Sequence, residues 1–129
     1  MFRPGDYIGL SFRDHGRDRA GVDCYGLVVL VLREQCGIEV HEPAYIHAHD
    51  LRTVEQAIIF ERPRWRRVVI PECFDAVVFY MGGRPLHVGL MIDGQRMLHI
   101  LDNGAGSVIA SIRSFEWFPR VEGFYRYGA

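Results

Sequence analysis

The sequence predicts an α+β domain: one buried helix early in the chain, followed by an antiparallel sheet. Three observations carry that prediction. Asp23 is a good N-cap, the apolar run 27–32 follows at once, and Gly37 supplies a stop just after Cys36. From Ala76 onward, short apolar runs are separated by Gly82-Gly83, Asp93-Gly94 and Asp102-Asn103-Gly104, which are turn signals. Helical material precedes strand material in the chain, which is the α+β order. At 129 residues the chain, 1–129, is read as a single domain able to bury its own core.

Residues 1–22 are punctuated by Pro4, Gly5, Gly9, Gly16 and Gly21, so short turns and loops are expected there. Charges alternate over 13–19, which marks a solvated loop, and His15 on it reads as a surface residue. The stretch 24–35 is ambiguous, because Val28-Val29-Leu30-Val31 would also suit a buried strand. The Asp23 cap, the polar Arg33-Glu34-Gln35 end and Gly37 decide for a helix. Apolar residues on every side make it a largely buried one.

Residues 39–50 carry His41, His47 and His49 around Pro43. His47 and His49 would share one face of an extended chain, half of a metal site, but no cysteine or acidic cluster completes it. A substrate-facing loop with no metal is the expectation, followed by a short amphipathic helix over 53–60. Arg62, Arg64, Arg66 and Arg67 surround Trp65 beside Pro63, and this segment reads as a solvated connector. Strands are expected over 76–81, 87–92, 96–101, 107–112 and 123–127, five in all.

The balance of charge is nearly even, with a net charge of −1, so no global field points to nucleic acid or an anionic membrane. Three cysteines without framework spacing argue for free thiols. No apolar signal-peptide core follows Met1, and the run 27–32 is far too short to span a bilayer. The expectation is a soluble protein made in the cytoplasm. If it works outside the cell, something else carries it there.

The chemistry is expected at Cys24 and two distant histidines. Cys24 would occupy the first helical position, where free N–H groups and the helix dipole favour a thiolate, the nucleophilic form. His87 and His99 fall on consecutive strands, so the turn between them decides whether they meet. A three-residue loop with Gly94 in the left-handed position pairs Met91 with Gln95, and His87 then lies opposite His99 on one face. Gly89, next on that face, leaves room for a partner. A thiol nucleophile needs one imidazole to move its proton and a third polar group to orient that imidazole. Cys24, His87 and His99 can supply these parts.

Three segments then carry a resemblance: Gly21-Val22-Asp23-Cys24-Tyr25-Gly26-Leu27-Val28, Asp75-Ala76-Val77-Val78-Phe79, and Leu86-His87-Val88-Gly89-Leu90-Met91-Ile92 with Met97-Leu98-His99. The chain resembles the NlpC family of papain-like cell-wall cysteine peptidases. The resemblance implies a papain-like fold, with the nucleophile helix packed on the C-terminal sheet and no cofactor. It implies cleavage of the bond between D-glutamate and the diamino acid in peptidoglycan stem peptides. Cys24 is then the nucleophile, His87 the base and His99 the orienting group. Gly16-Arg17-Asp18 and the ending Val121-Glu122-Gly123-Phe124-Tyr125-Arg126 are similar to the phage-tail and gene-transfer-agent subgroup. That implies tail proteins as partners and delivery to the wall by a tail.

Two positions depart from the family pattern. Tyr25 stands where many relatives have serine, and Phe12 falls where a substrate-contacting tyrosine is common. Tyr7 is the expected substitute for that tyrosine, with Tyr25 the other candidate for substrate contact. Two other readings stay open on the sequence: an amidase or acyltransferase of the same clan, and a non-catalytic tail assembly or adaptor domain.

Overall fold

The architecture is that of a computed structural model, which describes residues 1–41, 58, 59 and 61–128. Two short strands, β1 (Arg17–Asp18) and β2 (Gly21–Val22), pair antiparallel and lead straight into helix α1 (Cys24–Cys36). Six further strands build one antiparallel sheet: β3 (Trp65–Val68), β4 (Ala76–Met81), β5 (Arg84–Met91), β6 (Arg96–His99), β7 (Val108–Ser111) and β8 (Val121–Tyr127). Their order in space is β3-β8-β4-β5-β6-β7.

Helix α1 begins and ends at its caps. Asp23 is extended, and its carboxylate accepts the Gly26 N–H at 2.7 Å. Gly37 turns left-handed at φ 65°, and its N–H returns to the Arg33 carbonyl. All residues from 26 to 32 are buried, as an all-round apolar helix requires. Gly26 is needed for its size. A Cβ there would come within 1.9 Å of the Gly16 carbonyl oxygen, so the loop before β1 can cross the helix only at a glycine.

Alternation along the strands sorts their side chains onto two faces. Ala76, Val78, Val88, Leu90, Leu98 and Ile100 face α1 and join its leucines and valines in one core. Val77, Phe79, Met91 and Met97 face the other way and pack with Ile112 and Trp117 in a second core. Helix α1 lies chiefly against β5.

The sheet has six strands where five are expected, and the extra one is the arginine-rich segment. Trp65 is buried and meets the Tyr127 ring edge-on at 4.9 Å, while Arg66 and Arg67 stay exposed along β3. Only one of its first three residues is apolar, so the segment offers no alternation to read. Its pairing partner, β8, comes from the far end of the chain. That same strand, β8, inserts between β3 and β4, so the sheet is not a simple meander. The expected helix over 53–60 lies mostly outside the described residues, although residues 58 and 59 are helical. His47 and His49 also lie outside them.

The turn between β5 and β6 is displaced by one residue from the expectation. Ile92 donates its N–H to the Arg96 carbonyl at 2.9 Å, leaving residues 93–95 at the tip instead of 92–94. The Asp93 carboxylate causes the displacement by accepting both the Gln95 and Arg96 N–H groups at 2.8 Å. Gly94 does not adopt the left-handed conformation expected of it. The ladder therefore pairs Leu90 with Leu98 and Met91 with Met97, so continuing this register sets His99 across from Gly89. A shift of two in register preserves the face, so His87 and His99 still share one.

Candidate active site

The ladder between β5 and β6 stops at Leu90–Leu98, so the start of β5 keeps only β4 as a paired neighbour. The functional groups collect at this split. His87 lies on β5, and a bulge in the β4–β5 ladder falls just after its pairing with Phe79. His99 is the last residue of β6. Its ring reaches diagonally across Gly89, and His87 Nε2 and His99 Nδ1 are 3.0 Å apart. A side chain at Gly89 would have its Cβ 2.9 Å from the Met97 sulfur and 3.4 Å from His99 Cβ. The room left by Gly89 is thus taken up by Met97 and His99.

Cys24 reaches the same split from the helix side. The Val88 and Tyr25 backbone N–H groups both point at its sulfur and favour the thiolate, and Val88 is the residue next to His87. Asp23, itself buried, anchors this start of the helix. Besides the Gly26 N–H it accepts the His15 N–H and an N–H of Arg17, each at 3.0 Å. His15 is exposed, as expected.

Burial overrides the helix dipole at the thiol. Part of the residue touches solvent, yet the sulfur lies among protein atoms and its pKa is pushed up to about 12. Loss of water is the main cause, and the Asp23 charge beside it adds to the rise. The expectation of a thiol acidified by the helix start is corrected on this point. Burial also pulls His87 down to about 3, with the neighbouring His99 second, and holds His99 at about 4. The thiol and both imidazoles therefore rest neutral.

Trp117 completes the site, and nothing in the sequence singled it out. It stacks on His87 at 5.3 Å and 27° and meets His99 edge-on at 4.8 Å. Phe79 packs against both Trp117 and His87. The stretch Phe115-Glu116-Trp117-Phe118 holds three aromatic residues, and its pattern does not say which one turns inward.

The two tyrosines expected at the substrate are placed differently. Tyr7 is corrected: it is buried at the opposite end of α1, where its hydroxyl donates to Glu34 at 2.7 Å and accepts from Gln35 at 2.9 Å. About ten residues of helix separate that end from Cys24, roughly 15 Å of rise. Tyr25 stays close to Cys24, and its ring lines a small apolar cavity with Trp65, Val78, Val88 and Tyr125. Its hydroxyl donates to the carbonyl of the exposed His41 at 3.1 Å.

A more open, polar cleft of about 310 Å³ lies between Gly9, Ser11 and Phe12 on one side and Asp102, Gly104, Ala105 and Gly106 on the other. Ser107 ties its walls together, since it exchanges hydrogen bonds with Leu10 and accepts the Gly9 N–H at its carbonyl. Phe12 bridges to Val22, two residues from Cys24, and Asp102 follows His99 by three.

One helix packed on a six-stranded antiparallel sheet, with a thiol at the helix start and an imidazole pair on β5 and β6, is the frame of a papain-like α+β protein. The NlpC/P60 family pattern matches residues 9–126, and the chain belongs to that family. It is 26% identical over 120 residues to the Murein DD-endopeptidase MepS/Murein LD-carboxypeptidase of Escherichia coli (strain K12). That match covers 93% of this chain and 57% of the relative, so the chain spans little more than half the relative's length. Among solved structures, an NLP/P60-family protein similar to lipoprotein from Staphylococcus aureus superposes with a TM-score of 0.66 at 20% identity. That alignment covers 96% of this chain and 38% of the other. The NlpC/p60 domain of the peptidoglycan hydrolase SagA superposes at 0.61 and 18% identity, covering 95% of this chain and 90% of that domain. These superpositions share the fold described above.

Proposed function

We propose that the chain is a peptidoglycan hydrolase of cysteine-peptidase type, with Cys24 as nucleophile, His87 as base and His99 as orienting group. One observation carries the reading: the Cys24 sulfur meets the backbone beside His87, whose far ring nitrogen is hydrogen-bonded to His99. The His87–His99 bond allows two tautomers. Only the one with the proton on His87 Nε2 leaves the Nδ1 lone pair for the thiol.

In this reading the Cys24 proton moves to His87 Nδ1 as sulfur attacks the substrate carbonyl carbon. The C–S bond forms, and the carbonyl becomes an oxyanion beside the helix start. Collapse breaks the C–N bond, and His87 delivers the proton to the departing amine, leaving a thioester. His87 then deprotonates water, which attacks the thioester and returns the thiol. Because thiol and imidazoles rest neutral, the thiolate is generated on demand, with the Val88 and Tyr25 N–H groups in place to receive it.

The substrate class rests on family membership and on the murein enzyme of E. coli that the chain resembles. We assign the scissile bond to the D-glutamyl–diamino acid link of the stem peptide, as the family resemblance implies, with the cleft at Phe12 as the entry. Delivery by a phage-like tail belongs to the same proposal, supported by the likeness at residues 16–18 and 121–126. Both segments also carry fold contacts, Arg17 on Asp23 and Arg126 on Asp75. Incubation with purified muropeptides, followed by mass spectrometry, tests the reading. Products cut between D-glutamate and the diamino acid are expected. Release of D-alanyl cross-links instead would move the bond, and no product from any muropeptide would reject the hydrolase.

A further inference from the structure

The turn between β7 and β8 is built to present one side chain. The Ser114 carbonyl accepts the N–H groups of Trp117 at 3.2 Å and Phe118 at 2.9 Å, and the Trp117 carbonyl accepts the Arg120 N–H at 2.9 Å. Phe115 and Phe118 are left in solvent at 102% and 60% exposure, while Trp117 between them is 3% exposed. An apolar turn settling by burial alone would not leave two phenylalanines outside. The buried indole covers both imidazoles at once, face to face on His87 and edge-on to His99.

We propose that Trp117 is a positioning residue of the hydrolase: its indole sets the ring planes of His87 and His99 and keeps water from their hydrogen bond. The inference rests on the catalytic reading of Cys24, His87 and His99 given above. Two rings joined by a single hydrogen bond can still rotate about it, and a stacked plane on one with an edge contact to the other removes that freedom. The bond spans a diagonal across Gly89, whose missing side chain lets the Met97 sulfur and the His99 Cβ close in over the backbone. Without the indole, water would reach the exposed ring faces and compete for the ring nitrogens. The depressed basicity of both histidines, with burial the first cause in each, agrees with such shielding. The groups seen against the His87 ring are Phe79 from β4, His99 from β6 and Trp117 itself. His99 is the one whose charge acts on it.

The test compares Trp117→Ala, Trp117→Leu and Trp117→Phe in the full chain. Leucine restores apolar bulk without a ring plane, so it remains informative if alanine fails to fold. Two readouts are used: the pH profile of muropeptide cleavage, and NMR titration of the His87 and His99 rings without substrate. In Trp117→Leu, kcat is expected to fall about 10- to 100-fold with KM changed little, the range usual for groups that orient a reacting residue. The His87 titration should move up by about one unit as water enters, carrying the acid limb of the profile with it. Trp117→Phe should recover most of both. A folded Trp117→Leu with wild-type kcat and unshifted titrations would overturn the proposal, as would a loss confined to KM. The NMR arm needs no turnover, so it reports on the indole even if His87→Ala proves active and the catalytic reading fails.

Discussion

The two faces of the sheet are closed by different means. Under α1, aliphatic side chains from β4, β5 and β6 meet a helix that is apolar all round, and the surface is sealed over seven consecutive buried residues. The opposite face is covered at the histidines by one indole on a short hydrogen-bonded turn. The first arrangement supplies stability through many small, replaceable contacts. The second holds a few polar rings in one geometry. Damage to the first should cost folding free energy, and damage to the second should cost rate.

The largest expected effect falls on the proposed nucleophile and base, Cys24 at the start of α1 and His87 on the histidine face. Cys24→Ala and His87→Ala should each lower turnover on stem peptides by roughly a thousandfold or more, with melting temperature nearly unchanged, and the double variant should lose little beyond either single one. Full activity in His87→Ala would make that residue structural. On the helix face, Leu90→Ala should cost about 2–5 kcal/mol in denaturant unfolding, because Leu90 is fully buried beneath α1. Its kcat, measured where the variant is folded, should stay close to the parent. If the losses ran the other way round, the division of labour between the faces would be wrong.

Smaller effects sharpen the contrast. An asparagine at position 99 can still accept the His87 Nε2–H through its side-chain oxygen, so His99→Asn should retain about tenfold more activity than His99→Ala. The acid limb of kcat/KM should lie well below 6.5, the ordinary histidine value, since burial holds His87 near 3. The same shift gives a sign for stability. Between about pH 3 and 6.5 the unfolded chain binds protons that the folded His87 refuses, so stability falls as pH drops through that window. Replacing His87 with glutamine should flatten the slope in thermal melts. The smallest effect concerns the thiols. Cys36 is exposed and Cys24 is pushed up to about 12, so limiting iodoacetamide at neutral pH should label Cys36 before Cys24. The reverse order would restore the acidified thiol expected from the helix start.

Local rules made α1 legible. A cap at Asp23, an apolar run and a left-handed glycine act within a few residues, and the structure reproduces all three. Parity along β5 and β6 was equally readable, because a period of two survives a register shift of two and keeps His87 and His99 on one face. The exact diagonal was not, since it hung on how the Asp93 carboxylate closes the turn.

Other features depend on contacts between residues far apart in the chain. The strand at Trp65 exists because β8, about sixty residues later, pairs with it. Tyr7 looked available for substrate until the fold brought Glu34 and Gln35 to its hydroxyl. The protonation state of Cys24 turned on desolvation, a property of everything packed around the sulfur, which outweighed a dipole that could be read from the helix start alone. Trp117 joined the site for the same reason. By itself, then, the sequence determined the helix, the strand faces and the residue types that can do thiol chemistry, because these follow from short-range spacing. Only the tertiary structure decided which aromatic covers the histidines, which tyrosine is spent in the core and how basic each group is, because burial is set by the whole packed chain.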